Sequence, residues 1–125
     1  MLILYTEDRI HKIEGTKIAG DELHGVWVKF GELAGYKFVD VAMLSTVGIK
    51  TFKGISIAFL GGDVEMFMDS DTKEVVSDYS NVSNRWITHA SFDVTDEDID
   101  FITQKNYDLI RVKDKKKSFN FKTIR

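Results

Sequence analysis

The sequence predicts an antiparallel β fold, a sandwich or small barrel of about eight strands with one short capping helix over residues 95–104. Three observations carry this. A Gly61-Gly62 pair divides two apolar arms that sort cleanly onto two faces. Short runs of apolar–polar alternation recur between turn residues, without the strand–helix–strand rhythm of a parallel sheet. Only one stretch combines a helical period with a start signal.

Residues 2–5 read as a short strand, whereas residues 9–22 fit neither period. Ile10, Ile13 and Ile18 share no face, and Gly15 and Gly20 argue against a long helix. Residues 24–30 form the next expected strand, with Val26, Val28 and Phe30 on one face. A five-residue loop, 31–35, returns the chain antiparallel over 36–44. That register sets Val28 opposite Phe38, Phe30 opposite Tyr36, and Trp27 opposite Val39 on the reverse face. Both faces then carry apolar groups, which calls for cover on both sides or for an oligomer contact.

In the Gly61-Gly62 hairpin, Phe59 meets Val64, Ile57 meets Met66 and Ile55 meets Met68. Ser56, Ala58, Leu60, Asp63, Glu65 and Phe67 take the other face. Residues 69–72 read as a turn, 73–79 as a strand and 80–84 as a loop. Residues 86–94 form a strand with Trp86, Thr88, Ala90, Phe92 and Val94 on one side. The helix starts at Thr95 as N-cap, with Asp98 three residues on completing a variant capping box. Asp96, Glu97 and Asp98 complement its dipole, and Asn106 suits a left-handed cap. A last hairpin turns at residues 114–117, with Val112 opposite Phe119, Ile110 opposite Phe121, and Arg111 beside Asn120 outside.

The 125 residues fit one domain, 1–125, which buries enough apolar surface to need no staple. There is no cysteine, which removes disulfides, thiolate catalysis and cysteine-ligated metals. Residues 1–9 lack a signal-peptide pattern and no window reaches membrane-span length, so a cytoplasmic protein without membrane contact is expected. A chain trimmed of its leader would read the same way. The net charge of −3 hides a segregation. Residues 61–110 hold twelve acidic and three basic side chains, while 111–125 hold one acidic and seven basic. The bland reading is mutual offset between neighbouring strands, and the sharper one is a dipolar surface that steers a partner or the next subunit.

His11, His24 and His89 lack the close spacing of local ligand pairs, and no metal or cofactor is expected. The run from Asp69 to Glu74 fails as a calcium loop: Lys73 takes a ligand position, Glu74 the turn glycine, and Ser80 the bidentate glutamate. Gly61-Gly62 precedes a strand, so it is a turn and not a phosphate cradle. Lys113, Lys115, Lys116 and Lys117 cluster at one hairpin tip. With no interleaved aromatic and an acidic chain overall, they read as a solubilising tip, and a nucleic-acid partner is not expected. Trp27, Trp86 and Phe67 are large apolar residues, and Trp27 and Phe67 face away from the better-defined core side.

The function that fits best is a non-enzymatic protein-interaction or assembly module on a β-sandwich, as a homo-oligomer or with a protein partner. Its candidate partner-binding residues are Trp27, Leu60, Phe67, Lys115, Lys116 and Lys117. One alternative is a carrier of small hydrophobic ligands, a barrel with a pocket lined by Trp27, Phe38, Phe59 and Met66. The other is an enzyme whose dispersed site uses His89 or His24 with nearby carboxylates. The lack of any catalytic constellation favours a role other than catalysis.

Overall fold

Strands with one apolar face need a second apolar layer, and this chain supplies it with a second sheet. The computed structural model describes residues 9–125. A 3-10 turn, Arg9–Lys12, precedes β1 (Thr16–Gly20), β2 (Gly25–Leu33), β3 (Tyr36–Ser45), β4 (Lys50–Thr51), β5 (Ser56–Gly61), β6 (Val64–Asp69), β7 (Val75–Val76), β8 (Asp78–Ser80) and β9 (Arg85–Asp93). Helix α1 (Asp96–Gln104) then leads to β10 (Leu109–Lys113) and β11 (Ser118–Lys122). The strand expected over residues 2–5 and the side chain of His11 lie outside the described residues.

One sheet has the order β1-β2-β3-β9-β8, and the other β11-β10-β5-β6. β4 and β7 pair as a short ribbon. Pairing is antiparallel throughout. The two sheets meet along one side, where Ala19 bridges to Thr123 and the Ile124 amide donates to the Ile18 carbonyl at 2.9 Å. At the other side β6 and β8 end their sheets, so the architecture is a sandwich and not a closed barrel. The described residues form eleven strands, where about eight were expected for the chain. The expected strand over 73–79 divides into β7 and β8 around Ser77. The Ser77 hydroxyl accepts the Ile49 amide at 2.7 Å and contacts the Thr88 hydroxyl at 2.6 Å.

Val26, Val28, Val39, Val41, Met43 and Phe92 of the first sheet pack against Ile57, Phe59, Met68, Ile110, Val112 and Phe121 of the second. Helix α1 closes one end of this core, as the sequence predicts. Its Ile102 is buried, and Phe101 meets the Phe59 ring edge-on at 6.3 Å and stacks with Tyr107 at 5.8 Å. The Thr95 hydroxyl accepts the Asp98 amide and the Asp98 carboxylate accepts the Thr95 amide, which completes the capping box. The left-handed C-cap is Lys105, one residue before the expected Asn106.

The three hairpins test the expected registers. Between β10 and β11 every expected pair is found. Between β5 and β6 the register moves by two residues: Phe59 pairs with Met66, Ile57 with Met68 and Gly61 with Val64. The turn is therefore Gly62-Asp63, not Gly61-Gly62. Gly61 extends the strand because the Asp108 backbone packs on it; a Cβ there would lie 2.4 Å from the Asp108 nitrogen. An even shift keeps every side chain on its expected face. Between β2 and β3 the shift is odd. Ala34 and Gly35 form a two-residue turn, both at positive φ (52° and 85°), in place of the five-residue loop. Val28 now pairs with Val41, Phe30 with Val39 and Trp27 with Ala42. Phe38 and Tyr36 are thereby moved off the core face, and Val39 is brought onto it.

Candidate interaction surface

The outward faces of the two sheets differ in how they are covered. On the five-stranded sheet, Trp27 and Phe38 lie against their own backbone. A Cβ on Gly25 would lie 2.9 Å from the Trp27 ring, and one on Gly31 would lie 2.4 Å from the Phe38 ring. The Lys17 ammonium sits over the Trp27 ring at 5.1 Å. Leu44 and Ile87 of this face are buried, and Ile13 lines the same cleft as Ile87 and His89. Residues 13–14 therefore border this face, where Glu14 pairs with Lys29. That pair holds the Glu14 carboxyl below, and the Lys29 ammonium above, their ordinary ranges. Trp86 is likewise accommodated, with its ring over Gly48 and 4.9 Å from the Tyr79 ring.

A cleft of about 380 Å³ opens on this same face, lined by Glu14, Lys29, Asp40, Thr72, His89 and Ser91 among others. The Ser91 hydroxyl donates to the Asp40 carboxylate, and the Ser91 amide donates to the Thr72 hydroxyl at 3.0 Å. His89 and Asp40 are diagonal neighbours across β3 and β9. The serine is bonded to the carboxylate and not to the histidine, so no nucleophile–base pair is assembled. His24 lies elsewhere, its ring 3.1 Å from Asp21 in the β1–β2 turn. Asp71 and Asp93 form a close carboxyl pair, and the Asp71 carboxyl beside it raises Asp93 above the ordinary range. Among the described residues no three histidine or carboxylate side chains gather in metal-ligating geometry. The expected carrier pocket is not assembled either. Trp27 and Phe38 point outward from one sheet, while Phe59 and Met66 pack inward from the other.

The outward face of the four-stranded sheet is different in kind. Its side chains form three rows across β11, β10, β5 and β6: Lys122, Leu109, Leu60, Glu65; Asn120, Arg111, Ala58, Phe67; and Ser118, Lys113, Ser56, Asp69. Phe67 is 66% exposed beside the buried methyl of Ala58, and Leu60 and Leu109 are half-buried. Arg111 Nε donates to Asn120 Oδ1 at 2.8 Å, which holds the guanidinium along the sheet. Basic side chains occupy the β10–β11 side and acidic ones the β6 side, with an apolar strip between them.

Of the six residues singled out from sequence, Leu60 and Phe67 share this face. Lys115 stands at its end, in a separate basic cleft of about 520 Å³. Lys117 reaches across the fold, its Nζ donating to the Gly48 carbonyl at 2.6 Å. Lys116 is exposed at the turn, and Trp27 belongs to the opposite sheet. Sequence reasoning missed Lys53 and Lys73, which line the basic cleft with Lys113 and Lys115. No described helix is long and apolar enough to cross a membrane. Searches against protein-family models, curated proteins and solved structures find no match to this chain.

Proposed function

We propose that this protein is a non-enzymatic assembly module that pairs with a second copy of itself through the outward face of its four-stranded sheet. The observation that carries this reading is Phe67, an aromatic side chain two-thirds exposed in the middle row of a regular sheet face, on its edge strand β6, that no other described element covers. Isolated exposed apolar groups need no explanation, but this one continues into Ala58, Leu60 and Leu109.

Charge selects the occupant. On this face Glu65 and Asp69 lie on β6, and Arg111, Lys113 and Lys122 lie on β10 and β11. A two-fold axis between two such faces, parallel to the strands, sets each β6 against the partner's β11. The acidic side of one copy then meets the basic side of the other, as an isologous interface requires. Four strands about 4.8 Å apart span roughly 20 Å, which is small for a specific interface, so a weak and reversible dimer is expected.

Sedimentation velocity over a concentration series tests the reading. The expected result is a reversible monomer–dimer equilibrium that Phe67→Glu weakens about tenfold, because it replaces the largest apolar group of the face with a charge. A wild-type chain that stays monomeric at millimolar concentration, or an equilibrium indifferent to Phe67→Glu, contradicts it. The first result leaves the face to a different protein partner.

A further inference from the structure

We infer that the cleft between the β4–β5 loop, the β6–β7 loop and the β10–β11 turn is a binding site for a phosphoryl group carrying two or more negative charges, held by Lys53, Lys73, Lys113 and Lys115. These four lysines come from three separate stretches of chain. Side chains kept for solubility alone spread apart in water, yet these converge on one cavity of about 520 Å³.

The backbone that presents them is fixed. Gly54, at φ +78°, packs against Ser70, where a Cβ would lie 2.7 Å from the Ser70 hydroxyl. The Gly54 amide donates to the Lys73 carbonyl at 2.8 Å, and the Ile55 amide donates to the Ser70 hydroxyl at 2.9 Å. The Lys53 and Lys73 backbones are therefore tied to each other. On the third side, the Asp114 carboxylate accepts the amides of Lys116 and Lys117 at 2.8 and 2.6 Å, which shapes the turn that carries Lys115.

The cleft contains four ammonium groups and two carboxylates, Asp69 and Asp114. Asp114 is committed to its turn, and Lys73 donates to the Ser70 carbonyl at 3.0 Å. Among the described residues none of the four lysines makes an ion pair; the pairs involve Lys29, Lys37, His24 and Arg125 instead. Lys53 and Lys115 stand so close that each opposes the other's charge, and the Lys115 ammonium is pushed below its ordinary range. Adjacent like charges on a fixed backbone, none of them ion-paired among the described residues and together outnumbering the two carboxylates, are a site arranged for an anion. The excess of two positive charges matches a phosphate dianion or a diphosphate. Lysine serves as a point charge toward phosphate, and the cleft has no arginine fork suited to bidentate carboxylate recognition.

Lys113 and Asp69 border both this cleft and the proposed dimer face, so the test is run with and without self-association. Inorganic pyrophosphate, inorganic phosphate and malonate are titrated at low ionic strength into the full chain and into Phe67→Glu, with amide chemical shifts as the readout. The expected result is saturable pyrophosphate binding in both proteins, with shifts at residues 53–55, 70–73 and 113–115. Lys53→Gln and Lys115→Gln each weaken it about tenfold, the loss expected for a charge-assisted contact, while Lys116→Gln, outside the cleft, leaves it unchanged. Absence of saturable binding overturns the site. Equal losses in all three lysine variants overturn it as a general charge effect, and malonate binding as tightly as pyrophosphate overturns the phosphoryl assignment.

Discussion

Two serines show how single side chains settle the loops of this sandwich. Ser70 and Ser77 are both buried, and each accepts a backbone amide, from Ile55 and Ile49 respectively, that no strand partner serves. Ser77→Ala would strand the Ile49 amide in the core and leave Thr88 without its hydroxyl contact. The expected cost is about 1–3 kcal/mol, the penalty for an unsatisfied buried polar group, read as a lowered urea midpoint at unchanged m-value. Carboxyl pairing at Asp71 and Asp93 acts in the opposite sense. The Asp93 carboxyl titrates above its ordinary range in the fold because Asp71 faces it, so the folded state prefers the proton. The repulsion is absent below the ordinary carboxylate range, near pH 3.9, and grows as pH rises through the elevated value. Asp93→Asn is therefore expected to raise the melting temperature at pH 7 and to leave it unchanged near pH 3. A gain that persists in acid would contradict this cause. Neither serine's role was legible in the sequence, since the amides they serve lie 28 and 15 residues away.

At the scale of elements, what could be read depended on the turn. The β10–β11 register was legible because residues 114–117 offer one compact loop and both arms alternate cleanly. The β2–β3 turn was not, because its first residue is Ala34, which adopts a left-handed conformation that a β-carbon disfavours. Glycines at 31 and 35 looked like loop boundaries, whereas Gly31 lies inside β2, beneath the Phe38 ring. The β5–β6 hairpin falls between these cases: its faces were read correctly and its register was off by two, because the close approach of Asp108 to Gly61 comes from a segment 47 residues on. Gly61→Ala is a direct check. Both nearest atoms in the way belong to Asp108, the closest being its backbone nitrogen, so the strand pair β5–β10 must shift. The expected outcome is a large drop in melting temperature and loss of amide protection at Leu60 and Asp108. A neutral effect would return Gly61 to a turn position.

For the whole molecule, β identity and the capped helix followed from local pattern, whereas sheet order did not. The pairings of β5 with β10 and β3 with β9 join segments about 50 residues apart. They decide which faces are covered, and hence which exposed residues matter. Trp27 and Phe67 were equivalent in sequence, but the fold separates them: Trp27 is packed under Lys17 on the five-stranded sheet, and Phe67 is left in the open on the other. The same topology sets Glu65 and Asp69 across one sheet face from Arg111, Lys113 and Lys122, and brings lysines 53, 73, 113 and 115 to the lining of one cleft.

Self-complementarity of that face is the central claim, and a charge exchange across it is its most direct measurement. Glu65→Lys alone and Lys122→Glu alone each set like charges against each other at both symmetry-related contacts, and each is expected to weaken the dimer about tenfold. In an equimolar mixture of the two variants, every such contact is again between opposite charges. Sedimentation velocity should therefore show the mixture associating as the wild type does, while each variant alone stays largely monomeric. A mixture that associates no better than its components would contradict the proposed pairing of the two faces.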